Sequence, residues 1–129
     1  METSSVPQLE SAVHQDVTRL LMPDVVRNLV EIVGRKLTAY IGGMKDIRAV
    51  DRWMAGGAIY GGGEDRLRFA LQLVRTLREQ EPAAVVQAWL TGINPELGGR
   101  VPLRLLRDRD IDEIGPALSR AVRTFQSGM

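Results

Sequence analysis

Apolar residues recur along this chain at intervals of three and four, and almost nowhere in strict alternation. Such spacing places them on one face of an α-helix, whereas a half-buried strand alternates. Val6, Leu9, Val13, Val17, Leu20 and Leu21 form the first set. Ser5 is placed to cap that helix, and Pro7 falls in its first turn, where a missing N–H costs little. Pro23 interrupts the run and Asp24 opens the next helix, whose inner face is Val25, Val26, Leu29, Val30 and Val33. Gly34 is expected to loosen its end. A short helix over 35–42 (Leu37, Ala39, Tyr40, Ile41), a turn at Gly43 and a helix over 45–55 (Ile47, Val50, Trp53, Met54) follow.

"GGAIYGGGED" carries five glycines and reads as a flexible connector. Beyond it, Glu64 and Asp65 suit a helix start, and Leu67, Ala70, Leu71, Val74 and Leu77 give an amphipathic helix to about Gln80. Pro82 opens a helix through Val85, Val86, Trp89 and Leu90 that stops at Gly92. Asn-Pro and Gly-Gly turns lead to a short helix from Pro102 over Leu103 and Leu106. A last helix uses Ile111, Ile114, Leu118, Ala121, Val122 and Phe125. Pro116 predicts a start near Ile114 or a kink, and "QSGM" is expected to fray. The expected fold is all-α: a small helical bundle with an N-terminal helix-turn-helix lobe and a C-terminal helical lobe. Its divisions are an N-terminal helix over 1–22, the helix-turn-helix lobe over 23–57, a linker over 58–63 and the second lobe over 64–129.

Composition narrows the chemistry. Cysteine is absent, so disulfides, thiolate metal sites and a cysteine nucleophile are excluded. The opening segment lacks the basic and apolar regions of a secretory signal, and no stretch reaches the roughly 18 apolar residues of a membrane helix. A cytoplasmic location without membrane association is the expectation. Net charge is only +1, but residues 35–52 hold five basic side chains against two acids, a local +3.

The case for an enzyme is thin, and no cofactor is expected. His14 is the only histidine and falls on the polar side of the first helix, and Ser119 has no histidine placed by sequence to activate it. Asp108, Asp110, Asp112 and Glu113 have spacings that resemble a calcium loop, but the turn glycine is missing and Arg107 and Arg109 interleave. They read as a solvated helix start. The glycine-rich stretch follows no strand and is not followed by Lys-Ser or Lys-Thr, so it is no P-loop.

A helix-turn-helix signal is stronger. Ala39 is the small residue for a helix crossing, Gly43 the turn glycine and Met44 the apolar residue after it, with Val50 and Trp53 as anchors. The outer face of the second helix then shows Lys45, Arg48, Asp51 and Arg52, suited to bases and phosphates, with Arg35 and Lys36 at the preceding helix's start. The plainer reading is a helical hairpin with a solvated charged face. "INPELGGR" is expected to hold a fixed shape and present a surface, with Arg100 and Arg104 beside it, although Trp89 itself reads as core. Deleting Asn94 to Gly99 is expected to leave the fold standing.

These elements resemble the Xre/MbcA/ParS antitoxin family. The toxin-binding domain of that family is matched by Phe69 to Leu77, Trp89, Asn94, Leu97-Gly98-Gly99-Arg100 and Pro102-Leu103. "LTAYIGGMKDIRAVDRWMAGG" resembles its Xre-like helix-turn-helix. The resemblance spans Pro23 to Phe125, and the helix before it extends the usual core. It implies a type II antitoxin that blocks an NAD-consuming RES-type protein toxin and represses its own operon as a homo-oligomer. Implied toxin contacts are Trp89, Asn94, Pro95, Leu97, Arg100, Pro102 and Leu103; implied operator contacts are Arg35, Lys36, Lys45, Arg48, Asp51 and Arg52. The alternative is a stand-alone helix-turn-helix regulator or phage repressor whose C-terminal lobe only dimerises.

Overall fold

The computed structural model describes residues 6–128, and the expected Ser5 cap lies outside them. Seven α-helices and one 3₁₀ turn make up the described residues: α1 (Val6–Arg19), α2 (Met22–Ile41), α3 (Arg48–Met54), α4 (Gly63–Arg78), α5 (Ala83–Thr91), the 3₁₀ turn Pro95–Leu97, α6 (Pro102–Asp108) and α7 (Ile111–Gln126). No strand occurs among them; the nearest approach is a single bridge between Asn94 and Arg100. The protein is an all-helical bundle.

The expected inner faces are largely the buried ones, except that Ile47 (48% exposed) precedes α3 in the turn and Phe125 lies at the surface of the last helix. Val25, Val26 and Leu29 of α2 meet Leu67, Leu71 and Val74 of α4 in one continuous hydrophobic core, which Val13 and Val17 of α1 and Leu118 and Val122 of α7 also enter. That core runs across the glycine-rich stretch. The stretch itself has a defined path: Gly61 and Gly62 adopt positive φ, Ile59 packs on the core, and the Gly61 carbonyl accepts a 2.7 Å bond from Arg66 Nη1.

Four local expectations are corrected. Leu21 does not join the inner face of α1; the helix ends at Arg19, and Leu21 is the extended, exposed residue before α2. The helix expected from Lys45 begins at Arg48 instead. Asp46 accepts a 2.9 Å bond from the Arg48 N–H, which satisfies one of the free donors of the first turn and leaves Lys45 in the preceding turn. The last helix starts at Ile111 because Asp110 Oδ1 accepts from the Asp112 N–H; Pro116 lies within it. Its end does not fray from Gln126, whose amide nitrogen bonds the Thr76 carbonyl at 2.8 Å.

Gly34 does more than loosen a helix end. Its φ of 88° and ψ of 167° break α2 into segments over 22–33 and 35–41. That conformation is open essentially only to glycine. Gly42 is a second required glycine, since a Cβ there would overlap the Trp53 ring.

Helix ends leave carbonyls without intrahelical partners, and here distant side chains supply them. Arg68 Nη1 of α4 donates to Val17 O (2.7 Å) and Leu20 O (2.8 Å) at the end of α1. Gln87 of α5 donates to Ile32 O beside the Gly34 break. Arg66 Nε and Nη2 of α4 reach Ile41 O and Gly42 O, and Arg107 of α6 reaches Tyr40 O, at the end of α2. Arg107 also stacks on the Tyr40 ring, 4.4 Å from its centroid. Arg27 donates to Met54 O at the end of α3.

Two outcomes follow for stability. Arg66→Met removes two charge-assisted hydrogen bonds to partly buried carbonyls and one to the exposed Gly61 carbonyl, and is expected to cost about 2–3 kcal/mol in urea unfolding, with Arg66→Lys recovering only part. A loss below about 0.5 kcal/mol would mean that water replaces the guanidinium. Gly34→Ala meets no neighbour within 4 Å, so its expected cost of about 1–3 kcal/mol is backbone strain alone. An unchanged melting temperature would show that the break relaxes into continuous helix.

Candidate functional site

The residues singled out in the sequence fall on two surfaces. The first is the second segment of α2 together with α3. Ala39, Val50 and Trp53 are buried, as the crossing and anchors of a helix-turn-helix require, and Gly43 makes the turn at φ 90°. Met44, expected as an inward apolar residue, is 39% exposed. With α3 starting at Arg48, the connection after α2 is longer than the sequence pattern predicts. α3 is also only seven residues long.

The charged side chains of this surface largely satisfy one another. Arg48 grips Asp46 through Nε–Oδ2 at 2.9 Å and Nη2–Oδ2 at 2.7 Å, and Arg35 Nε meets Asp51 Oδ1 at 3.1 Å across the two helices. Among the described residues, Lys36, Lys45 and Arg52 are exposed and form no ion pair. The guanidinium and backbone N–H of Arg48 hold the Asp46 carboxyl at about 2, below its ordinary 3.8, and the carboxylate raises the Arg48 pKa in return.

The second surface is the loop after α5. Asn94 organises it. Its side-chain oxygen accepts from the Glu96 N–H at 2.9 Å, its N–H donates to Arg100 O at 3.0 Å, and its carbonyl accepts from the Leu97 and Gly99 N–H groups. Gly98 and Gly99 complete the reversal at φ 68° and 81°. Arg100 Nε ties back to Leu97 O at 2.7 Å, and the Leu97 side chain is sunk in the core beside α7. The loop is fixed, as expected, but it is not removable: deleting Asn94 to Gly99 would take Leu97 out of the core.

The implied toxin contacts therefore divide. Trp89, Asn94 and Pro95 line an external groove of about 360 Å³ between α5 and α7. Arg100 is exposed beside the loop, while Leu97, Pro102 and Leu103 are buried and act on the surface only through the shape they set. Ile93, not singled out from the sequence, is 77% exposed at the groove, and Phe125 forms its other wall at 37% exposed. Its position right after a helix-ending glycine was the available signal. Trp89 is buried to 8% exposure, and its indole N–H has no hydrogen-bond partner among the described residues.

A larger cleft of about 1050 Å³ lies among α1, α4, α6 and α7, lined in part by His14, Arg66, Arg68, Arg107, Asp110 and Ser119. Its three named arginines spend donors on helix-end carbonyls. No hydrogen bond joins His14 to Ser119 among the described residues. No helix in the described residues is long and apolar enough to cross a membrane. Comparison with protein-family models, with curated proteins and with solved structures gave no match. The class the fold defines is thus a one-core, all-helical bundle with a charged helix-turn surface and a separate fixed apolar loop.

The low Asp46 value sets a pH test. A carboxyl depressed in the folded state adds stability that is complete above its unfolded value and is lost as pH falls through about 2. Carbon-detected titration is expected to give Asp46 a midpoint near 2, moving back toward 3.8 in Arg48→Ala. An unchanged midpoint in that variant would remove the Arg48 guanidinium as the cause and leave the backbone N–H.

Proposed function

We propose that this chain is the antitoxin of a type II toxin–antitoxin pair, binding and blocking an NAD-consuming RES-type toxin and addressing its operator through the surface of α2 and α3. The observation that carries the reading is the loop of residues 93–100. A rigid, internally bonded loop places an apolar side chain, Ile93, in solvent beside the groove walled by Trp89 and Phe125. Buried aromatic anchors next to exposed apolar residues are where binding energy concentrates in protein interfaces. Preforming the loop lowers the ordering cost of association. An inhibitor of this kind acts by occlusion and uses no catalytic group of its own.

The second reading is a stand-alone regulator that uses the same groove to form a homodimer. It is favoured by one feature: Ile93 protrudes from the same surface as the groove, so the patch can be self-complementary across a two-fold axis.

Coexpression with a RES-domain toxin separates the two. The antitoxin reading expects a co-purifying complex and suppressed NAD⁺ consumption. Ile93→Asp and Glu96→Arg leave the core and the loop's own bonds intact, Arg100→Glu also removes the bond to Leu97 O, and each is expected to weaken inhibition about tenfold or more. Full inhibition by all three variants would show that the toxin contacts another surface. A dimer dispersed by Ile93→Asp, with no effect on NAD⁺ consumption, would favour the regulator.

A further inference from the structure

We propose that Asp46 and Asp51 are resident competitors for DNA phosphate: they occupy Arg48 and Arg35 in the free protein and so hold down the affinity of the α2–α3 surface for nucleic acid. The inference rests on the reading of that surface as a DNA contact and explains how its strength is set.

Of the six arginine–carboxylate pairs among the described residues, two lie on this surface. Five cations lie between residues 35 and 52, with only two carboxylates in the same stretch, and both carboxylates are spent on arginines of that set. The Arg48–Asp46 contact uses two nitrogens of the guanidinium against the carboxylate, with Nε near both oxygens. This is the forked pairing that a phosphate would otherwise receive. The Arg35–Asp51 contact joins the start of the second α2 segment to the exposed side of α3. Two of the six implied operator contacts are therefore already engaged, and a third, Asp51, is the engaging group.

Exposed ion pairs are weak, so each is exchangeable for phosphate at small cost. Their main effect is on the field: two negative charges stand where phosphates would come. An incoming duplex must displace or tolerate them, which lowers non-specific affinity and the number of counterions released. Lys36, Lys45 and Arg52 remain open for encounter. Sequence-specific contacts or a second copy on an adjacent half-site would then supply the surplus that non-specific DNA does not.

Asn at both positions tests this. Asp46→Asn keeps an oxygen to accept from the Arg48 N–H, so the start of α3 is preserved, and Asp51→Asn alone is the milder variant should the pair unfold. The measurement is binding of the full chain to a random-sequence 30-base-pair duplex against salt concentration, read by fluorescence anisotropy, with helical content checked by circular dichroism. The double variant is expected to bind about tenfold more tightly at low salt, and its log K against log salt slope to steepen by about 1.8, two further phosphates. Adding Lys36→Ala and Arg52→Ala should then remove the gain. Duplex binding by the unaltered chain with no change of affinity or slope in the Asn variants would overturn the proposal and leave the DNA reading standing. No duplex binding by any variant would overturn both. A gain insensitive to Lys36 and Arg52 would place the DNA elsewhere and also overturn it.

Discussion

The bundle depends on how its helix ends are closed. Carbonyl groups at the ends of α1, both segments of α2, and α3 receive donors from Arg68, Gln87, Arg66, Arg107 and Arg27. A further donor, Gln126, serves the end of α4. At α2 and α3 they add to glycine caps: Gly43 and Gly56 adopt positive φ, the Met44 N–H bonds Ala39 O and the Gly57 N–H bonds Arg52 O. The donors on α4, α5 and α6 close the ends of α1 and α2, so the N-terminal helices are finished by the C-terminal half of the chain. The hydrophobic core is continuous alongside these bonds: α4 packs on both α1 and α2, where Arg68 reaches the carbonyls ending α1 and Arg66 those ending α2. Apolar contact alone would allow α2 and α4 to slide; directional bonds to particular carbonyls set the register.

This division of labour explains what could be read from the sequence. Apolar periodicity found the inner faces of α2, α4 and α7 because burial acts on every third or fourth residue. It misplaced the start of α3, because Asp46 had been counted as a helical surface acid when it is the group that ends the turn. Pro116 drew the start of α7 too far along, although Asp110 carries an ordinary capping side chain. The helix expected from Arg35 is present; what apolar periodicity does not show is that Gly34 separates it from the preceding segment through a single residue at φ 88° and ψ 167°. Long-range clamps leave no mark at short spacing, so arginines at 66, 68 and 107 look like any other charged helix residues.

The candidate surfaces show the same split. Asn94, Gly98 and Gly99 were legible as turn chemistry, and each performs it. Leu97, Pro102 and Leu103 sit in the same stretch and were grouped with them, but they face the core. A sequence motif records shape-making and contact-making residues without distinguishing them. Ile93 went unmarked because an isolated isoleucine before Asn-Pro carries no periodic signal; only the fixed loop turns it into an exposed apolar point.

Arginine serves two opposed purposes in this molecule. At the partly buried helix ends its fork is directed at carbonyls, where each bond supports the fold. On the α2–α3 surface it is directed at carboxylates that water can reach, where the pair adds little to stability. Surface pairs so weak are poor reasons for the fold to place Asp46 and Asp51 beside Arg48 and Arg35. Asp46 has a second structural duty at the start of α3, whereas among the described residues the one hydrogen bond of the Asp51 carboxylate is to Arg35, across the two helices. The consequence of Asp51 is therefore electrostatic. It lowers the positive potential of residues 35–52, which carry a net +3, and leaves Lys36, Lys45 and Arg52 to define what that surface attracts.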